Sequence, residues 1–232
     1  MNECFKRIIL DIKDIKKDPI DGVHYFPCEE NIMKGKALIF GPSGTPYEHG
    51  NFVFHFEFTN QYPYAPPIVT YETNNGMTRF NPNFYRNGKV CLSILNTWNG
   101  EQWSACQSIR SVLVTLQFTM NEYPLMNEPG IVWDMHYNHI HTYNQLIQYK
   151  SIETSIYGYL ENKRSLSEEM YEVIKAHFLE TKEQICETLR LLSEKYKQSV
   201  YIKTSIYQQE ANLDYNGLYQ KISMVNETFF DE

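Results

Sequence analysis

Residues 51–58, "NFVFHFEF", carry a phenylalanine at every second position. Side chains of an extended chain alternate between two faces, so Phe52, Phe54, Phe56 and Phe58 share one face of a strand. Val53, His55 and Glu57 fall on the other face, a pattern that predicts a half-buried strand. The preceding "KGKALIFGPSGTPYEHG" reads as a second strand running into a Gly- and Pro-rich turn. The following "YPYAPPIVTYET" places Pro66 and Pro67 at the entry to another strand. Connections this short join antiparallel neighbours, whereas parallel strands need long crossovers. The stretch from Lys34 to Thr73 is therefore expected to be an antiparallel meander.

Helical periods flank it. In "CFKRIILDIKDIKKDP", Phe5, Ile8, Ile12 and Ile15 recur at three- and four-residue steps among basic residues, and Asp18-Pro19 closes the helix. Ser104 and Gln107 have capping-box spacing ahead of the stripe Ile109, Val112, Leu113, Leu116 and Met120, which predicts a helix from about Ser104. "YPLMNEPG" breaks it, and a tyrosine-rich helical stretch is expected from about His136 to Leu160. Ser165 and Glu168 repeat the capping-box spacing, and Met170, Ile174, Phe178, Thr181, Ile185, Leu189, Leu192 and Tyr196 then form a long stripe. The order of helix, antiparallel sheet and helices makes the fold α+β, with residues 1–162 as the main domain and 163–232 as a helical C-terminal extension.

Bulk properties narrow the function. The hydrophobic fraction of 42% and aromatic fraction of 15% suit a folded domain with a sizeable core. A net charge of −7 disfavours a general nucleic-acid partner, which would need a basic face. From Ser165 onward there are twelve acidic and seven basic residues, so most of the excess lies in the extension. The five cysteines, Cys4, Cys28, Cys91, Cys106 and Cys186, are odd in number and lack C-x-x-C pairing or zinc-type histidine spacing. No metal or other cofactor is expected. With no long apolar run and no signal-peptide pattern, the expectation is a soluble protein without a membrane partner, in the reducing cytoplasm or nucleus.

Cys91 is the chemically interesting residue. It follows two turns, Asn81-Pro82-Asn83 and Asn87-Gly88, and runs into Leu92 and Ile94. A cysteine among apolar neighbours is commonly inert packing. Against that, turn formers keep the backbone at the surface, and the loop "NTWNGEQWSA" follows closely enough to wall a groove. Asn83, eight residues upstream, carries an amide that can fold back toward the sulfur and donate to an oxyanion. No histidine sits in a local motif with Cys91, which disfavours a papain-like hydrolase.

Taken together, "GPSGTPYEHG", "YPYAPP", "NPNFYRNGKVCLSIL", "WSA" and "NEPG" stand in the order seen in ubiquitin-conjugating enzymes. The resemblance covers about residues 1–150. The chain looks most like a large, C-terminally extended subgroup that includes the conjugating enzyme of the alternative ubiquitin-activating enzyme and the conjugating domains of giant hybrid conjugating enzyme/ligase proteins. The fold implied is the UBC-like one: an N-terminal helix, a four-stranded antiparallel meander, then helices.

The resemblance implies that Cys91 accepts ubiquitin, or a ubiquitin-like modifier, as a thioester from an activating enzyme and passes it to a substrate lysine or a ligase. It implies oxyanion stabilisation or loop bracing for Asn83, and help with lysine deprotonation for Glu128. Ser93 matches a position often held by Asp, although a hydroxyl there is also an ordinary turn residue. Asn81 replaces the family's usual histidine, as it does in the subgroup. Lys6, Arg7 and Lys13 match the basic face that meets the activating enzyme. Tyr64, Ala105 and Cys106 match the loops that contact RING or HECT ligases, with Ala-Cys in place of the usual Pro-Ala and a second thiol near the site. The alternative on the same fold is a non-catalytic ubiquitin-binding or scaffold module.

Overall fold

The computed structural model describes residues 3–163 and 166–230. Helix α1 (Glu3–Lys17) leads into four strands, β1 (Val23–Pro27), β2 (Lys34–Phe40), β3 (Asn51–Glu57) and β4 (Ile68–Tyr71). They pair in sequence order, every pair antiparallel, with Ala37 opposite Phe54 and Phe54 opposite Tyr71. The meander is therefore as the short connections require, with one further strand upstream of Lys34.

Phe52, Phe54, Phe56 and Phe58 enter one core with Ile8 and Ile15 of α1 and with Ile109, Val112, Leu113 and Leu116 of α2 (Ile109–Thr119). The opposite face of the sheet departs from the half-buried expectation. Leu38 and Val53 are fully buried there, in a second core with Met170, Ile174 and Phe178. Those three residues belong to α5 (Glu168–Lys195), the long stripe read from sequence. The sheet is thus covered on both faces, and its outward residues are apolar where α5 lies over them.

Helix α2 starts four residues later than its sequence suggests. The Ser104 N–H donates to Gln107 Oε1 (3.1 Å) and the Gln107 N–H to the Ser104 carbonyl (3.0 Å), which closes a turn instead of opening a helix. The capping box is made by Ser108 and Ser111. The reason is tertiary: Arg7 draws the carbonyls of Ala105 and Gln107 toward α1, so they cannot point along a helix axis.

Helix α3 (Trp133–Lys150) runs into a π-helical turn (Ser151–Tyr157) and the short α4 (Gly158–Glu161). The widened turn presents Ser155 to the start of β3, where Asn51 Nδ2 donates to the Ser155 carbonyl (3.0 Å). For α5, Ser165 falls outside the described residues; the described cap is Ser167, whose hydroxyl accepts from the Met170 N–H. The extension is not wholly helical. A hairpin, β5 (Val200–Lys203) and β6 (Glu210–Leu213), precedes α6 (Tyr215–Met224), and its four-residue strands are too short to leave a readable period. The loop at its tip packs Ile206 and Tyr207 against the first core.

On α5, His177 lies flat on the Phe40 ring (3.7 Å between centroids, 6° between planes). Burial, with smaller contributions from neighbouring His49 and His24, lowers its pKa from 6.5 to about 4. Burial also lowers His24 and His49. Above pH 6.5 the imidazole is neutral whether the chain is folded or not. As the pH falls toward 4, the unfolded chain takes up a proton that the folded chain refuses, so stability is lost across that interval. Denaturant titrations from pH 7 to pH 4 are expected to show this loss, and His177→Phe to reduce it. An unchanged acid limb in the variant would contradict the assignment.

Candidate active site

The "NPNFYRNGKVCLSIL" segment folds back on itself through two turns, with isolated bridges from Phe84 to Asn81 and Val90, and ends in a 3₁₀ turn (Ser93–Leu95). The Cys91 N–H donates to the Asn83 carbonyl (2.9 Å), and Asn83 Nδ2 returns a hydrogen bond to the Cys91 carbonyl (2.7 Å). The Asn83 amide thus folds toward Cys91, as its position suggested, but reaches the carbonyl oxygen of that residue. Its own Oδ1 is buried with no hydrogen-bond partner among the described residues.

Asn81 is the support beneath. It is fully buried, and its amide is used at both ends. Nδ2 donates to Tyr47 Oη (2.8 Å) and to the Thr119 carbonyl (2.9 Å), while Oδ1 accepts from the Asn83 N–H (2.9 Å). An amide offers two donors and an acceptor on one planar group, whereas a neutral imidazole offers one donor and one acceptor. The asparagine therefore makes one more bond in this buried position than the usual histidine could.

Cys91 is only 4% exposed, yet it does not join either apolar core. It lines a narrow cleft of about 30 Å³ with Pro82, Asn83 and Tyr85, faced by Trp98, Asn127, Glu128 and Pro129. That space holds about one water molecule, far less than a small-molecule pocket. A reactant at Cys91 must therefore present a slender acyl group or side chain while most of it stays outside. The thiol donates to the Thr97 carbonyl (3.0 Å). Thr97 also clasps the segment through its hydroxyl, which accepts from the Leu92 N–H and donates to the Val90 carbonyl (2.9 Å each). Nothing in the bare sequence marked Thr97 for this part.

The facing wall begins at the short 3₁₀ turn Pro124–Asn127. Asn127 Nδ2 donates to the Thr119 carbonyl (3.0 Å), the same oxygen that Asn81 uses. Glu128 follows at the cleft, its Oε2 accepting from the Tyr207 hydroxyl. Burial and that contact together hold the Tyr207 phenol well above its ordinary range. Of the four residues named for catalysis, Cys91, Asn83 and Glu128 share the cleft. Ser93 does not line it; its Cβ faces Gly100 across the loop, where an added side chain would come within 3.0 Å.

The residues named for partner surfaces divide. Lys6 and Lys13 are exposed on α1. Arg7 points elsewhere: its guanidinium donates to Asp11 (Nε–Oδ1, 2.8 Å), to the Ala105 carbonyl (2.8 Å) and to the Gln107 carbonyl. Asp11 is buried and also accepts from the Tyr62 hydroxyl and the Ile109 N–H, so the pair fastens α1 to α2 and to the intervening loops. Tyr64 is 70% exposed, and Cys106 is exposed beside half-buried Ala105. Trp103 Nε1 donates to the Pro63 carbonyl (2.7 Å) and holds these two loops side by side. Cys106 lies in that braced loop and is absent from the lining of the Cys91 cleft.

The sequence profile of the family described as "Ubiquitin-conjugating enzyme" matches residues 7–154. The protein from Danio rerio named "Ubiquitin-conjugating enzyme E2 Z" is 39% identical over 228 residues, covering 96% of this chain and 68% of that protein. Its namesakes in Xenopus tropicalis and Homo sapiens are 43% and 44% identical over 77% of this chain, which corresponds to 58% and 51% of their lengths. The chain belongs to the ubiquitin-conjugating enzyme family. The profile ends within the π-helical turn, while the Danio rerio alignment continues through almost the whole extension. The chain spans about half to two thirds of the length of these relatives. Among the described residues, no helix is long and apolar enough to cross a membrane.

Removing the Asn81 amide leaves the Thr119 carbonyl with one donor fewer, the Asn83 N–H without its acceptor and the Tyr47 hydroxyl without its donor. Unmade buried hydrogen bonds cost about 1–3 kcal/mol each. Asn81→Ala is therefore expected to lower unfolding stability by about 2–4 kcal/mol in denaturant titration. A loss below about 0.5 kcal/mol, typical of a surface change, would contradict its role as the buried support.

Proposed function

We propose that this protein accepts ubiquitin, or a ubiquitin-like modifier, from an activating enzyme as a thioester on Cys91 and transfers it to a substrate lysine or to a ligase. The observation that carries the reading is the meeting of Cys91, Asn83 and Glu128 in one narrow cleft. A scaffold role uses none of that convergence. In loading, the Cys91 thiol leaves the Thr97 carbonyl and gives its proton to solvent, its thiolate attacks the activated acyl carbon, and the activating enzyme's sulfur departs as thiolate. Thiol exchange of this kind is symmetrical in chemistry and needs no metal or other cofactor.

In transfer, the lysine nitrogen attacks the thioester carbon, the C–N bond forms, the C–S bond breaks and Cys91 leaves as thiolate. A lysine with an ordinary pKa near 10.4 is almost entirely protonated at neutral pH. In this reading Glu128, on the opposite wall, draws the ammonium into the cleft and receives its proton. Asn83 serves here as a brace. Its amide holds the Cys91 carbonyl, so the residue carrying the acyl group is fixed from both its N–H and its C=O. Ser93 takes no part in this scheme.

For the partners, we infer that exposed Lys6 and Lys13 meet the activating enzyme, while Arg7 contributes by fixing the loop beneath them. Tyr64, Ala105 and Cys106 form the surface offered to RING or HECT ligases, and Trp103 keeps its two loops in register. Residues 1–162 carry the chemistry, with 163–232 as the extension, whose helix α5 lies across the sheet. None of the five cysteines is in a disulfide, which suits a reducing intracellular compartment.

The test is incubation of the chain with ubiquitin, ATP and either the general or the alternative activating enzyme, read on a non-reducing gel. An adduct that dithiothreitol cleaves and Cys91→Ala abolishes is expected with at least one of them. No adduct with either, from folded protein, would transfer the weight to a scaffold role.

A further inference from the structure

Sequence places Tyr207 in the extension, 79 residues beyond Glu128, yet its hydroxyl donates to Glu128 at the mouth of the cleft. The loop that carries it joins β5 to β6 and is closed by Thr204. The Thr204 N–H donates to the Gln209 carbonyl (2.8 Å), and its buried side chain donates to the Ile206 carbonyl (2.8 Å). At the apex, Tyr207 and Gln208 both take left-handed backbone angles (φ 62° and 46°). L-residues rarely adopt that region, so contacts made elsewhere must hold the loop in this shape.

Ser205 and Tyr207 meet His139 and Tyr143 of α3, and the other contacts reach the active-site segment and Arg79 just before it. The Arg79 guanidinium lies over the Tyr207 ring at 4.4 Å and over the Tyr85 ring at 3.6 Å, and Tyr85 is itself a cleft residue. Arg79 also donates to the carbonyl of Pro82, on the same wall (2.6 Å), and Arg86 donates to the Tyr207 carbonyl (2.8 Å). The Arg79 N–H is taken by the buried Gln209 side chain (2.5 Å). The loop is thus anchored to the Cys91 side of the cleft while its hydroxyl holds the carboxylate on the opposite side.

We propose that Tyr207 is a positioning residue for lysine transfer: the extension reaches back to fix the Glu128 carboxylate at the mouth of the Cys91 cleft. This rests on the reading of Glu128 given above. The Tyr207 bond occupies Oε2, which fixes the carboxylate's rotation and leaves Oε1 for the incoming ammonium. The Arg79 guanidinium stacks between two tyrosines, and among the described residues the hydrogen bond to the carboxylate comes from the phenol. The extension is then a working part of transfer as well as a cover for the sheet. Loading has no such need, because a thiolate attacks a thioester without a carboxylate to take a proton.

The experiment is single-turnover discharge of the ubiquitin-loaded chain to free lysine and, separately, to 2-mercaptoethanol. Wild type, Tyr207→Phe, Glu128→Gln and the double variant are compared. Phenylalanine keeps the ring against Arg79 and removes only the hydroxyl. Tyr207→Phe is expected to slow discharge to lysine about three- to tenfold, the net worth of one ordinary hydrogen bond. Discharge to the thiol is expected to change less than about twofold on the same grounds. The double variant is expected to be no slower than Glu128→Gln alone, because the two changes remove one device. If Glu128→Gln slows lysine transfer but Tyr207→Phe does not, or slows lysine and thiol discharge alike, the positioning role is overturned while the enzymatic reading stands. If Glu128→Gln has no effect on lysine transfer, or wild type does not load at all, the reading of the site falls and this proposal falls with it.

Discussion

Two side-chain amides from opposite walls of the cleft converge on one oxygen, the carbonyl of Thr119 at the end of α2. The last carbonyls of a helix lack partners within it and must find them elsewhere. Here they find Asn81, which supports the Cys91 segment, and Asn127, which precedes Glu128. A single backbone atom on a helix buried through Ile109, Val112, Leu113 and Leu116 therefore sets the separation of the two walls. That separation bounds a narrow cleft of about 30 Å³ beside Cys91. The geometry of the cleft is thus tied to helix packing through Asn81 and Asn127.

The same economy governs the surroundings. Arg7 and Asp11 tie α1 to the loops before α2, which delays the helix start to Ser108 and leaves Ala105 and Cys106 in a braced loop. Trp103 couples that loop to Pro63. On the far face of the sheet, Leu38 and Val53 need cover, and α5 supplies it through Met170, Ile174 and Phe178. Cover on that face brings the hairpin tip around to Arg79 and Glu128. Packing of the extension and geometry of the cleft are consequently linked by one continuous set of contacts.

Much of this was legible in the residues, and the boundary of legibility has a physical cause. Alternating phenylalanines announce the strand, because a two-residue period survives in any eight-residue window. The apolar stripes of α1, α2 and α5 are equally plain, and the spacing of Asn83, Cys91 and "NEPG" carried the family. Single-residue roles that depend on distant partners could not be seen. Arg7 reads as one more cation on a basic helix until the carbonyls of residues 105 and 107 are brought to it. Ser104 and Gln107 have the right spacing for a cap and spend it on a turn. Val53 reads as solvent-facing until a helix more than a hundred residues later lies on it. Thr97 and Tyr207 carry no motif, and only folding shows what each one holds.

The central claim is that Cys91, alone of the five cysteines, carries the acyl group. Exposed Cys106 is the natural competitor, since it lies in a loop offered to partners and is far more accessible. The direct measurement is mass-spectrometric mapping of the loaded protein, trapped at mildly acidic pH and digested without reductant. The modifier's C-terminal remnant is expected on the peptide that contains Cys91, with Cys4, Cys28, Cys106 and Cys186 unmodified. A remnant on Cys106 instead, or spread over several cysteines, would contradict the assignment of the cleft as the seat of the chemistry.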